Sequence, residues 1–151
     1  MSVDVVTSID IDRPRELVAG FVMDPSNATE WYRNIASVEV ETTGPLGVGS
    51  RMAFRAQFLG RSLAYTYEVV EFEVGRRLVM RTADGPFPME TTYSFEDTAL
   101  GGTRVTLRNR GEPTGFSRFA TPLMEPAMRQ VNRKDLQLLK EILESESHRS
   151  E

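Results

Sequence analysis

The sequence predicts an α+β fold in which a curved antiparallel sheet of about seven strands wraps around one long carboxy-terminal helix. Two observations carry this reading. Residues 35–111 run through six segments of alternating apolar and polar side chains, separated by turns rich in glycine. That is the pattern of an antiparallel meander packed on one face and wet on the other. Residues 122–146 then form one amphipathic helix, roughly 37 Å long. Ala120, Met124, Ala127, Met128, Val131, Leu138, Leu139 and Ile142 fall on one side; Arg129, Arg133, Gln137, Lys140 and Glu144 fall on the other. The packed side of the sheet needs a cover, and this helix is the large apolar face left to supply it.

The elements follow in the order β-α-α-β6-α. Residues 3–11 alternate Val3, Val5, Thr7, Ile9 and Ile11 against Asp4, Val6, Ser8 and Asp10, a strand with one buried face. Asp12 is expected to cap a helix to about residue 23, with Pro14 in its first turn and Leu17, Val18, Phe21 and Val22 as its apolar side. Asp24-Pro25 stops it. A short second helix over residues 28–34 carries Trp31, the one tryptophan. The six strands span about 35–43, 50–59, 62–73, 77–82, 87–95 and 103–111. Their covered face takes Met52, Phe54, Ala56 and Phe58, then Leu63, Tyr65, Tyr67 and Val69, then Leu78 and Met80. Met89, Thr91, Tyr93 and Phe95 follow, with Val105, Leu107 and Asn109 on the last strand. Thr121 and Pro122 supply a cap and first turn for the terminal helix. One domain over residues 1–146 is expected, with a frayed tail at 147–151.

Composition narrows the chemistry. The 151 residues include no cysteine and one histidine, His148, in the polar tail. Thiol nucleophiles, histidine triads and cysteine- or histidine-rich metal sites are therefore excluded, and neither a metal nor a cofactor is expected. The formal charge of −4 disfavours nucleic acid or an anionic membrane as partner. No apolar run approaches the ~20 residues of a membrane span, and the amino-terminal stretch lacks the features of a secretion signal, so a cytoplasmic protein is expected. Gly44, Gly47 and Gly49 lack the lysine and hydroxyl residue of a phosphate loop and precede a strand. Arg104, Arg108 and Arg110 form a basic stripe on the last strand, with Glu90 or Glu96 as expected cross-strand partners.

The inward residues admit two readings. They fill a solid core, or they line a pocket whose wall is adaptable methionine and aromatic surface with isolated polar groups at Thr82, Thr91 and Asn109. Asp135 lies near the middle of the helix's apolar stripe, facing either a ligand or a basic partner. Trp31 either anchors packing or lines a cavity mouth. The 111–116 segment, with Phe116 and Phe119 beyond it, is either a plain turn or a lid.

The element order, together with Ile11 to Pro14, Asp24-Pro25 followed by Trp31 and Ile35, Gly47-Val48-Gly49-Ser50-Arg51, Gly102-Thr103-Arg104-Val105-Thr106-Leu107, and Asp135-Leu136 with Leu139-Lys140, resembles the START-like superfamily with the helix-grip fold. Within it the chain is most similar to the bacterial polyketide cyclase/dehydrase-like family. The resemblance implies a cavity between helix and sheet for a hydrophobic, lipid- or polyketide-like small molecule. Its contacts are then Trp31, Phe54, Phe58, Tyr67, Met80, Tyr93, Asn109, Phe116, Phe119, Met124 and Met128, with Tyr93 and Asn109 orienting a polar end. The leading expectation is a binding or carrier protein, monomer or homodimer. The alternatives are an aromatase/cyclase or dehydrase using Tyr67, Tyr93 and Asp135, and a chaperone-assisting or stress-response interaction module. No spacing marks a catalytic set.

Overall fold

The computed structural model describes residues 3–32, 35–58, 60–84, 88–112 and 121–149. In chain order it holds β1 (Val3–Ile11), α1 (Arg15–Met23), a 3-10 turn (Pro25–Asn27), α2 (Ala28–Trp31), β2 (Ile35–Val40), β3 (Arg51–Phe58), β4 (Arg61–Glu73), β5 (Arg77–Asp84), β6 (Met89–Asp97), β7 (Thr103–Gly111) and α3 (Thr121–Arg149). The strands form one antiparallel sheet in the order β1-β7-β6-β5-β4-β3-β2, curled around α3. The six consecutive strands are sequential neighbours because short turns leave them nowhere else to pair. β4 carries register shifts at Thr66/Tyr67 and Val69/Glu71 against β5, and such irregularities bend and twist a strand.

Several local expectations are revised. The residue capping α1 is Pro14, with no side-chain bond to the helix; Asp12 instead donates its backbone N–H to Glu144 Oε2 at 2.9 Å. Asp24 caps the following 3-10 turn through Ser26 N at 3.0 Å. β2 ends at Val40 and β5 reaches Asp84. α3 continues to Arg149, since no glycine or proline interrupts its polar last turns.

α3 lies along β1, an edge strand. Two of its carboxylates take backbone amides of that strand and its end: Glu125 accepts from Asp4 N at 3.1 Å and Glu144 accepts from Asp12 N. Lys140 Nζ donates to Asp10 O at 2.9 Å. The helix thus covers an edge that would otherwise offer its amides to another chain.

The buried stripe of α3 is Met124, Met128, Asn132, Asp135, Leu136, Leu139 and Leu143. This is turned by roughly 60° from the stripe read off hydrophobicity: Leu138 and Ile142 are half-buried, while Leu136 and Leu143 are sealed. Asp135 sits inside this stripe, as expected, and so does Asn132, whose polarity disguised the stripe's centre. Leu136, Leu139 and Leu143 pack with Ile11, Val18, Val69, Leu78, Phe95 and Val105 in the main core. Met124 and Met128 pack with Val3 and Val5 in a second cluster. Between these two packed regions the helix presents Asn132 and Asp135.

The Gly102-Thr103 pattern is structural. A Cβ on Gly102 would stand 2.6 Å from the Ile11 carbonyl oxygen, and Thr103 Oγ1 donates to Arg13 O at 2.8 Å. Arg110 pairs with Glu90 at 2.6 Å, as its opposite position on β6 allows. Arg104 and Arg108 instead pair with Asp10 (2.9 Å) and Asp4 (2.6 Å) on the other neighbour, β1. Every arginine of the stripe is neutralised within the sheet.

Candidate functional site

A cavity of about 140 Å³ lies between the sheet and the middle of α3. β3 contributes Phe54, Ala56 and Gln57; β4 contributes Leu63, Tyr65 and Tyr67; β5 contributes Met80 and Thr82. Met89, Thr91 and Tyr93 come from β6, Asn109 from β7, and Met128, Val131, Asn132 and Asp135 from α3, with Tyr32 and Ile35 closing one side. The period-2 alternation of each strand turns its lining residues inward, apart from Gln57, which follows Ala56 directly and is exposed.

Three aromatic rings build one wall. Phe54 stacks on Tyr65 at 5.5 Å between centroids, and Tyr67 meets both edge-on at 5.6 and 5.2 Å. Across the site, buried Trp31 (1 % exposed) stacks on Tyr32 at 4.0 Å and meets Tyr93 edge-on at 6.1 Å. Trp31 is not among the lining side chains; it backs two residues that are.

The polar groups are ordered by one chain of bonds. Thr91 Oγ1 donates to Asn109 Oδ1 at 2.7 Å. A threonine hydroxyl has a single proton, so the 2.7 Å contact between Tyr67 Oη and Thr91 Oγ1 has tyrosine as donor. The chain therefore runs Tyr67 to Thr91 to Asn109, and the Asn109 amide nitrogen remains for donation at its end. Thr82 Oγ1 is committed to the fold, accepting from Met89 N at 3.0 Å.

Burial sets the protonation of the tyrosines. It pushes Tyr67 up to about 12, with the Thr91 bond opposing the shift. Burial and then neighbouring Tyr67 raise Tyr65. Burial first, and the Asp135 carboxylate second, raise Tyr93 well above the ordinary tyrosine range. All three hydroxyls keep their protons and stay available as hydrogen-bond donors at neutral pH. Asp135 itself is 1 % exposed.

Six of the sequence-derived contact residues line this cavity together: Phe54, Tyr67, Met80, Tyr93, Asn109 and Met128. All three acid/base candidates, Tyr67, Tyr93 and Asp135, line it too. Met124 does not; it is buried one turn further on, against Val3 and Val5. Phe116 and Phe119, and with them the lid, lie outside the described residues, as does the side chain of Phe58. Leu63 lies on the face expected to be covered; Tyr32, Ile35, Gln57 and Asn132 were not anticipated. The signal for Asn132 was its spacing, four residues after Met128 and three before Asp135. Among the described residues no cluster of three metal-ligating side chains occurs, and no helix is long and apolar enough to cross a membrane.

A curled seven-stranded sheet closed over a long terminal helix defines a START/Bet v1-like, helix-grip protein. More narrowly, the chain belongs to the family described as polyketide cyclase / dehydrase and lipid transport, whose model matches residues 2–144. Solved structures agree in fold. A protein from Thermus thermophilus, TTHA0849, is 23% identical over 95% of this chain and 99% of its own, with a TM-score of 0.81. The ZhuI aromatase/cyclase from Streptomyces sp. R1128 is 13% identical over 95% and 94%, with a TM-score of 0.79. A START superfamily protein from Mycobacterium smegmatis is 14% identical over 98% and 99%, with a TM-score of 0.71. A comparison with curated proteins finds no match.

Proposed function

We propose that this protein binds or carries a hydrophobic small molecule in the cavity between its sheet and α3. The observation that carries the reading is the wall itself: Phe54, Tyr65, Leu63, Met80, Met89 and Met128 surround about 140 Å³ of space with a few polar groups at fixed positions. Aromatic and methionine surface adapts to an apolar guest, while fixed donors orient it. The family to which the chain belongs supports the same reading. Native mass spectrometry of protein from its own host, with ligand-observed NMR using small aromatic probes, is the test. A co-purified molecule or saturable one-site binding, blocked by Ala56→Phe without loss of the folded spectrum, is expected. No bound molecule and no saturable probe would overturn the reading.

A second reading is an aromatase/cyclase or dehydrase acting in the same space. It is favoured by Tyr93, a protonated hydroxyl beside the Asp135 carboxylate on the cavity wall. Such a group donates to a substrate carbonyl and stabilises charge developing there. Turnover of a polyketide-like chain that falls in Tyr93→Phe, with binding retained, is the expected result. Undiminished turnover in single variants of Tyr67, Tyr93 and Asp135 would exclude these residues.

A further inference from the structure

Asn132 is 4 % exposed, lines the cavity, and its side-chain Nδ2 meets no acceptor among the described residues. A buried amide donor without an acceptor weakens a fold, so its position calls for an explanation beyond packing. The helix turn that holds it lies between two regions packed with leucine, methionine and valine, where an apolar residue would serve stability better. A second amide donor, at Asn109, closes the Tyr67–Thr91–Asn109 chain. The described lining contains no lysine, arginine or histidine to offset the burial of an anion. Its volume, about 140 Å³, is close to that of a buried apolar cavity of about 150 Å³ that admits benzene.

We propose that the cavity selects a neutral molecule of about one ring carrying an oxygen acceptor, and that Asn132 is the residue that reads this oxygen. The proposal rests on the cavity being a ligand site and adds the class of ligand. A single ring matches the space of about 140 Å³, and carboxylates lack a counter-charge. The Asn132 amide has no acceptor among the described residues, and the guest's oxygen supplies one.

Three probes of one shape test this on the full chain: acetophenone, with a carbonyl; α-methylstyrene, with a methylene in its place; and benzoate, an anion. Affinities are measured by NMR titration for the wild type and Asn132→Leu. The leucine variant should weaken acetophenone by about 10-fold and leave α-methylstyrene unchanged or tighter, because only the carbonyl uses the amide. Without ligand it should melt higher than the wild type, since a buried amide with no protein acceptor for its nitrogen is replaced by an apolar side chain. Benzoate should bind about 10-fold or more weaker than acetophenone to the wild type. Equal effects of Asn132→Leu on acetophenone and α-methylstyrene would overturn the proposal, as would benzoate binding as tightly as the ketone. Asn132→Ala gives the same ratio should the leucine variant not fold. If no probe binds the folded wild type, the ligand-site reading itself fails, which is a different outcome from binding without discrimination.

Discussion

Replacing Thr91 by valine tests the bond chain that orders the polar side of the cavity. The substitution keeps shape and strand propensity and removes one hydroxyl. Thr91 is 4 % exposed and makes two bonds of 2.7 Å, one from Tyr67 and one to Asn109. Each such bond contributes about 1 kcal/mol net, so the loss is about 2 kcal/mol, more if the Tyr67 hydroxyl finds no new acceptor. In a chain of this length that corresponds to a fall of about 4–8 °C in Tm. Tyr67→Phe removes one bond and should lose about 1 kcal/mol. Because the Tyr67–Thr91 bond can be lost once only, the double variant should fall short of the sum by about 1 kcal/mol. Urea unfolding of all four proteins, with a common m-value, gives the coupling energy directly. A coupling within about 0.3 kcal/mol of zero would show that the two hydroxyls do not act on each other and would refute the chain.

Other perturbations separate core, edge and charge. Leu139→Ala, in the sealed part of the α3 stripe, should cost about 3 kcal/mol in urea unfolding, while Leu123→Ala, 61% exposed on the same helix, should cost less than about 0.5 kcal/mol; equal costs would show that α3 is not gripped as described. Gly102→Ala should lose about 1–3 kcal/mol through its clash with the Ile11 carbonyl, a backbone atom that has no rotamer to yield; an unchanged melt would contradict that contact. On the outer face, the hydrogen bond from Arg81, aided by Arg110 against the opposing effect of burial, holds Glu90 below the ordinary carboxylate range. A lowered folded-state pKa gives stability that is present above the unfolded pKa and lost as pH falls through the folded one, so Glu90→Gln should lower stability modestly at pH 7, change little at the acid end where the carboxylate is already protonated, and so flatten the acid limb of the stability curve. At the alkaline end the sign reverses. Tyr67, at about 12, and Tyr65 and Tyr93, both raised mainly by burial, hold their protons longer folded than unfolded. Stability should therefore decline as pH rises past the ordinary tyrosine range, with tyrosinate absorbance appearing for these three together with unfolding; a smooth titration of all tyrosines in folded protein would refute the burial argument.

The order of elements was legible because alternation and helical spacing are local. Val3 to Ile11, the six strands and the terminal helix each declare themselves within about ten residues, and short turns leave an antiparallel neighbour as the one available partner. The inward identity of Phe54, Tyr67, Met80, Tyr93 and Asn109 follows from that alternation alone. The helix was harder to orient. Asp135 stands out within its stripe, but a reading by hydrophobicity turns away from Asn132, and Leu136 and Leu143 beside it fall off the stripe so read. The partners of Arg104 and Arg108 were unreadable for another reason: β1 lies almost a hundred residues away in sequence and pairs with β7 only when the sheet is assembled. Composition and periodicity by themselves determined the fold class and the faces of its strands. Where the interior is solid and where it opens was decided by tertiary structure, because a gap is set by the distance between helix and sheet, and that distance depends on all the side chains packed at either end of it.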